Sequence, residues 1–266
     1  MPTLVLSRRY SDDSNALWRA AIEAGWDVER LMTYAPDAQL ASREPVVYGE
    51  TLLADAVGPP LDLVLLEPSH GWLPRLPAAY RKREVCLTTL ADARSLAARR
   101  FVKPVDEKVF AAGVYDDGSG IDATCDFPDS SGVLIAQPVC FGFEARAFVL
   151  ERSVASLSAY VRGGEIARDA AGEWPLSEAE RAGAMDFLAR MLADPAVELP
   201  AAVVVDVGLM EEGWAVVEAN ACWASGLCGC DPREVLKVIR RASVPAARAS
   251  PDDRRWSRRA HVTACP

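Results

Sequence analysis

The chain has 266 residues, of which 50% are hydrophobic and 25% charged, and its formal net charge is −9. This length permits one large or two modest domains, and the acidic balance argues against binding to duplex nucleic acid, which needs a basic face. No apolar run approaches the ~18 residues of a membrane-spanning helix, and the first residues lack the basic start of a secretory signal. We therefore expect a cytoplasmic protein without membrane contact.

Residues 1–84 alternate the patterns of strands and helices. The predicted strands are 4–6, 26–31, 46–48 and 61–66, and the predicted helices run from Ser11 or Asp12 to Gly25 and from 50 to 57. Strands separated by helices indicate a small parallel α/β domain. The proline- and arginine-rich residues 72–83 then connect this domain to the rest of the chain.

Residues 85–244 predict an α+β domain with antiparallel sheets. Strand patterns follow one another closely at 100–104, 109–115, 133–139, 145–150 and 154–161, a spacing typical of antiparallel pairing. Helices are predicted from Thr88 or Thr89 to about 99, from Ser177 to 192, and from Asp231 onward. Residues 245–266 carry several arginines interrupted by prolines, which predicts a flexible basic tail.

A hairpin near the end of the second domain carries three oxygen-bearing side chains. The apolar runs 203–207 and 214–217 flank a polar turn centred on Glu212, which places Asp206 opposite Glu218. Asn220 lies two residues further and faces the same side as Glu218. Two carboxylates and an amide oxygen suit a hard cation such as Mg²⁺. The alternative is a hairpin whose polar side chains face solvent.

Three earlier strands also carry polar or proline interruptions. Lys103 stands on an otherwise apolar strand and either reaches a phosphate or lies along the surface, and Lys108 follows as a possible second phosphate contact. Pro138 breaks the strand 133–139, so this segment is either a sheet edge or a stretch of unpaired backbone that can face a planar ligand. Glu144 and Arg146 form either a surface ion pair or a site for a phosphate or carboxylate.

The order of these features resembles the ATP-grasp superfamily, particularly its compact members and, more distantly, the branch that glutamylates ribosomal protein and makes glutathione. The resemblance covers residues 85–242, so the fold it implies is an α/β N-terminal lobe followed by an α+β ATP-grasp fold with antiparallel sheets. The roles it implies are ATP binding for Lys103, Gln137, Pro138, Val139 and Glu144, phosphate neutralisation for Arg146, and Mg²⁺ binding for Asp206, Glu218 and Asn220.

The same resemblance implies an ATP-dependent carboxylate–amine or carboxylate–thiol ligase that works through an acyl phosphate. Its substrates would be a small-molecule or peptide carboxylate and an amine acceptor. One feature departs from the family, because the loop 105–113 contains a single glycine where a glycine-rich phosphate loop is usual. An ATP-binding module without turnover and a kinase without ligation therefore stay open as alternatives.

The remaining signals are weaker. Cys222, Cys228 and Cys230 form the only cysteine cluster, which we interpret as buried thiols because a zinc site would need a further ligand and the two histidines lie far away in sequence. The scarcity of histidine also argues against a histidine-dependent nucleophile. Arg162, Arg168 and the turn at 163–164, or the basic segment 75–83, are candidates for the acceptor site. A dimer would be unsurprising, although nothing specifies one.

Overall fold

The computed structural model describes residues 1–105, 110–121 and 127–258. The first lobe is built on a parallel sheet in the order β2-β1-β3, formed by β1 (Thr3–Leu6), β2 (Asp27–Arg30) and β3 (Pro45–Tyr48). Helix α1 (Asp12–Glu23) joins the first two strands, and α2 (Thr51–Val57) follows the third. Ser11 caps α1 through a capping box with Ser14. The predicted parallel α/β lobe is confirmed.

The predicted strand 61–66 has a different partner from the other strands of the first lobe. It is shorter, β4 (Leu63–Leu65), and pairs antiparallel with a strand near the end of the chain (Ser243–Pro245). The connection that follows contains two single-turn helices, α3 (Trp72–Arg75) and α4 (Ala78–Arg81). These short helices end where Lys82 adopts a left-handed conformation with φ of 48°.

A four-stranded antiparallel sheet forms a small lobe in the middle of the chain. Its order is β5-β8-β6-β7, with β5 (Val85–Thr89), β6 (Arg100–Pro104), β7 (Gly113–Tyr115) and β8 (Gly132–Ala136). The sequence did not predict β5, and the helix predicted to reach 99 is shorter, α5 (Leu90–Arg94), capped by Thr89. The predicted strand 133–139 ends at Ala136, two residues before the proline that cannot donate to a ladder.

A five-stranded antiparallel sheet forms the second half of the grasp domain, in the order β11-β10-β9-β12-β13. Its strands are β9 (Phe143–Leu150), β10 (Ser153–Arg162), β11 (Glu165–Ile166), β12 (Ala202–Met210) and β13 (Gly213–Asn220). Helix α6 (Glu178–Ala193) begins at the predicted Ser177 capping box, and α7 (Pro232–Ala242) begins at the predicted Asp231 cap. Because α7 contacts β9, β12, α1 and β3, it fills the space between this sheet and the first lobe.

The described residues form two separate hydrophobic cores. One core runs continuously through the first lobe, α7 and the five-stranded sheet. The small lobe has its own core, made of Leu90, Ala93, Val102, Phe110, Ile121, Val133 and Ile135. The small lobe therefore owes its apolar stabilisation to its own residues rather than to the rest of the molecule.

The C-terminal segment returns to the first lobe. Strand β14 (Ser243–Pro245) pairs with β4, and α8 (Pro251–Arg255) follows a capping box formed by Ser250 and Asp253. Trp256 is only 4% exposed. Residues 245–258 thus differ from the predicted flexible tail because they bury an aromatic side chain and pair with a strand, whereas residues 259–266 lie outside the described residues. Within the described ranges, no helix has both the length and the apolar character needed to span a membrane.

Candidate active site

A cavity of about 930 Å³ opens where the small lobe, the five-stranded sheet and the first lobe meet. This volume lies at the upper end of small-molecule pockets. The polar and charged lining comes from all three parts: Lys103 from the small lobe; Arg146, Tyr160, Glu218 and Asn220 from the large sheet; Thr51, Glu67, Ser69 and His70 from the first lobe; and Arg258 from the C-terminal segment.

Neighbouring strands of the large sheet bring the charged residues together. Arg146 on β9 lies opposite Asp206 on β12, which in turn lies opposite Glu218 on β13. The predicted register of the hairpin is confirmed, and a shift in register follows immediately after Asp206. Such bulges re-aim side chains at the end of a ladder. Beyond this bulge, Glu218 and Asn220 both reach the cavity.

Arg146 and Asp206 form a buried, two-bonded ion pair. Nε donates to Oδ1 at 2.9 Å and Nη2 donates to Oδ2 at 2.7 Å, while the Asp206 side chain has no solvent exposure. Nη1 donates to the Gly226 carbonyl at 3.1 Å, and the guanidinium lies 4.0 Å from the ring centre of Tyr160. Burial raises the pKa of Asp206, but the pair stays ionised because both carboxylate oxygens accept hydrogen bonds from a guanidinium that keeps its proton.

Lys103 and Glu218 form a second ion pair that faces the cavity. The lysine ammonium contacts Oε2 of Glu218, and Nδ2 of Asn220 donates to Oε1 at 2.8 Å. The side chains of Lys103 and Glu218 are 34% and 27% exposed. Burial by itself would raise the pKa of Glu218, but Lys103 and Asn220 together hold that pKa below its ordinary value. Glu218 is therefore an anion ready to bind a cation.

Two half-buried charges stand behind this wall. Burial, and then the charges of Asp206 and Glu218, raise the pKa of Glu144 to about 7. Arg83 donates to the carbonyls of Val216 and Val217 at 2.7 and 2.8 Å, and burial lowers its pKa to about 10. The sequence indicated Arg83 only as part of a basic segment. Its contacts hold the outer edge of β13 just before Glu218.

Several predicted ligand residues lie outside the cavity lining. Gln137, Pro138 and Val139 follow the end of β8, and the Gln137 amide donates to the Glu84 carbonyl at 2.9 Å. These three residues and Glu144 do not line the cavity, so their contact with a nucleotide stays a prediction. Lys108 lies outside the described residues.

The residues predicted for an acceptor site have other partners. Arg162 pairs with Glu180 and Arg168 pairs with Asp12, and neither lines the cavity. The sequence instead missed a wall formed by the first lobe and the C-terminal segment, which includes Glu67, Ser69, His70 and Arg258. A polar run after a short strand was the only signal for the first three, and the last was assigned to the tail.

The cysteine cluster behaves as predicted for buried thiols. Cys222 and Cys230 are buried, and burial raises the pKa of each to about 12. Cys228 is half-buried with its sulfur 3.7 Å from Nη1 of Arg146, and burial raises its pKa to about 11. Thiols with such raised pKa values are poor nucleophiles.

The oxygen donors on this wall fit Mg²⁺ in part. Glu218 and Asn220 present a carboxylate and an amide to the cavity, which is the ligand chemistry of a hard cation. Asp206 lies beneath them with both oxygens bonded to Arg146. Within residues 1–105, 110–121 and 127–258, no group of three or more acidic, histidine or cysteine side chains is placed to hold a metal ion.

Residues 80–238, more than half of the chain, match a family model described as an ATP-grasp domain, the second family of its clade. No curated protein sequence gives a significant match. The chain is similar in structure to a RimK-domain ATP-grasp protein from Sphaerobacter thermophilus, with 16% identity, a TM-score of 0.51, and coverage of 92% of this chain and 100% of the other.

Two further solved structures share the fold. N5-carboxyaminoimidazole synthase from Aspergillus clavatus, in complex with ADP and 5-aminoimidazole ribonucleotide, has 12% identity and a TM-score of 0.54 over 92% of this chain and 78% of its own. D-alanine–D-alanine ligase from Bacillus anthracis, complexed with ATP, has 11% identity and a TM-score of 0.50 over 91% of this chain and 96% of its own. At such identities, the likeness shows the fold.

Proposed function

Since this chain belongs to the ATP-grasp family that its residues 80–238 match, we propose that it is an ADP-forming, ATP-dependent carboxylate–amine ligase. The observation that carries the proposal is one cavity wall on which two cations, Lys103 and Arg146, meet two oxygen donors of the kind that bind magnesium, Glu218 and Asn220. The names of two structural neighbours, a ligase complexed with ATP and a synthase complexed with ADP, support the same reaction class.

The reaction needs positioning and charge neutralisation more than a protein nucleophile. A substrate carboxylate oxygen attacks the γ-phosphorus of ATP, the bond to the β-phosphate oxygen breaks, and ADP leaves. The resulting acyl phosphate is then attacked by an amine, and inorganic phosphate leaves. Lys103 and Arg146 supply positive charge to the phosphoryl group as it transfers. When bound by Glu218 and Asn220, Mg²⁺ supplies further neutralisation of the phosphate charge.

The ion pairs on this wall prepare those charges before substrates bind. Lys103 lies beside Glu218, so the lysine can turn to a phosphate while the carboxylate turns to a metal ion. Arg146 keeps Asp206 as its counter-ion and faces the cavity through the edge that contacts Gly226. The wall therefore holds its cations at a low cost in mutual repulsion.

The test is ADP release by the purified protein with Mg·ATP and single amino acids or short peptides, with and without hydroxylamine. A carboxylate that stimulates ADP release should yield a hydroxamate, because hydroxylamine traps only an acyl phosphate. Lys103→Ala should abolish this stimulation, whereas Lys237→Ala, which removes a surface lysine paired with Glu234, should leave it intact. A phosphorylated product without hydroxamate would identify a kinase instead.

A second candidate is a nucleotide-binding module that has lost turnover. It is favoured by the loop 105–113, which contains one glycine. Backbone amides of a glycine-rich loop normally bind phosphates, and their replacement by larger residues weakens that contact. Binding of Mg·ATP without ADP release in the presence of every carboxylate and amine pair would support this candidate and exclude the ligase.

A further inference from the structure

The wall opposite the phosphate-binding residues comes from parts of the chain outside the family match. Lys103, Arg146, Glu218 and Asn220 lie within residues 80–238, whereas Thr51, residues 67–73 and Arg258 lie before or after that range. The shared ATP chemistry therefore occupies one wall. The features that select this chain's second substrate belong on the other.

Glu67 is the acidic side chain of that second wall. Of the described acids, Glu67 and Glu218 line the cavity, and Glu218 is already committed to the phosphate side. The Glu67 side chain is 8% exposed, and Nη1 of Arg258 donates to its two oxygens at 3.1 and 3.4 Å. The same guanidinium donates to Asp55 at 2.5 and 3.1 Å. One positive charge is thus divided between two carboxylates.

The main chain and a buried ring fix the position of Glu67. Its amide donates to the Trp256 carbonyl at 2.9 Å, and the preceding Leu66 forms a bridge with Ser257. The indole of Trp223 donates to the Leu66 carbonyl at 2.8 Å, and the guanidinium of Arg258 lies 5.9 Å from the same ring. The carboxylate is therefore presented to the cavity by a preorganised support, as a recognition group should be.

We propose that the second substrate is a primary amine whose ammonium group binds Glu67, and that Arg258 is a positioning residue for this carboxylate. The inference rests on the proposed ligase function and names its acceptor. A buried carboxylate on the wall opposite the phosphates attracts an ammonium group and repels a second carboxylate or phosphate. The two substrates thereby bind in opposite orientations, with the acyl group near Arg146 and the amine near Glu67.

This placement agrees with the atom balance of the second step. The bound ammonium loses one proton to water, and the free amine nitrogen then forms a bond to the acyl carbon. The bond between that carbon and the phosphate oxygen breaks, inorganic phosphate leaves, and the nitrogen loses a second proton to give a neutral amide. Glu67 holds the ammonium group until the acyl phosphate is present and performs no covalent chemistry.

The experiment uses the full chain saturated with Mg²⁺ and a non-hydrolysable ATP analogue. The probes are the amides of the standard amino acids, which keep the amine and lack a free α-carboxylate, and binding is followed by saturation-transfer NMR. At least one amide should bind, and its N-acetyl derivative should not. Glu67→Gln should weaken that binding about ten- to a hundredfold while nucleotide affinity is unchanged.

Arg258 is tested by comparing two replacements with a matched control. Arg258→Gln should weaken amide binding, and Arg258→Lys should restore part of it because the charge beside Glu67 returns. Arg255→Gln removes an exposed arginine of the same segment, paired with Glu198 and Asp252, and should behave as wild type. Thermal unfolding of each variant establishes that it is folded.

Two results would overturn the inference. They are the absence of binding by every amide to the nucleotide-loaded wild type, and equal binding to wild type and Glu67→Gln. If either occurs while a carboxylate still stimulates ADP release, the amine site is wrong and the ligase proposal stands. Failure of the wild type to bind Mg·ATP would instead refute the proposed function itself.

Discussion

The buried ion pair between Arg146 and Asp206 predicts a large loss of stability when either residue is replaced by alanine. The Asp206 side chain is fully buried and Arg146 is 7% exposed, so either replacement leaves an uncompensated charge inside the protein. Such losses are about 3–5 kcal/mol, which for a chain of this size corresponds to a decrease in Tm of roughly 6–20 °C. The double replacement should cost less than the sum, because no unpaired charge is left.

The cavity-facing pair provides the contrast. Glu218 and Lys103 are 27% and 34% exposed, and water screens their attraction, so Glu218→Ala should cost at most about 1 kcal/mol. The same replacement should abolish calorimetric binding of Mg·ATP, since it removes the carboxylate nearest the cavity. Stability and nucleotide binding should therefore respond in opposite order at Asp206 and Glu218.

The assays are urea unfolding and titration calorimetry on Asp206→Ala, Arg146→Ala, the double variant and Glu218→Ala. A loss of less than about 1 kcal/mol at Asp206, with abolished Mg·ATP binding, would refute the structural role and make this carboxylate a metal ligand. Equal stability losses at Asp206 and Glu218 would refute the argument from exposure.

Three further predictions concern stability. Burial raises the pKa of Glu144 from 4.5 to about 7, so the folded state retains a proton that the unfolded state releases, and stability should fall as the pH rises through that window. Glu144→Gln should remove this fall in Tm profiles between acidic and mildly alkaline pH. Gly118→Ala drives a Cβ into the Arg94 carbonyl group and should lower Tm markedly, whereas Gly113→Ala meets no atom within 4 Å and should be near neutral. Trp256→Ala should cost about 3–5 kcal/mol in denaturant unfolding if the C-terminal segment is packed as described.

The hairpin was readable from the sequence because its information is local. The turn around Glu212 and the valine runs on either side fix a register, and the register places Asp206 opposite Glu218. The partner that occupies Asp206, Arg146, lies 60 residues away on a strand whose place beside β12 no local pattern specifies. The sequence therefore identified the charged residues but assigned Asp206 to a metal rather than to an arginine.

Two elements were missed for different physical reasons. Strand β5 is partly exposed along its whole length, so it lacks the alternation of buried and exposed residues that predicts a strand. The C-terminal segment contains prolines and arginines that suggest disorder. Pro251 instead occupies the first turn of a helix, where its missing amide costs nothing, and Arg258 finds its carboxylate partners in the first lobe. Such long-range partners cannot be inferred from composition.

The separation of the two hydrophobic cores gives the cavity a particular response to its surroundings. Lys103 belongs to the small lobe and Glu218 to the large sheet, so their ion pair spans the gap that the two described cores leave between them. A rotation of the small lobe that widens the cavity must separate these two charges. The closing force across this gap is then partly ionic, and it weakens with ionic strength over distances set by the Debye length. The width of the cleft thereby becomes a property of the salt around the protein as well as of its sequence.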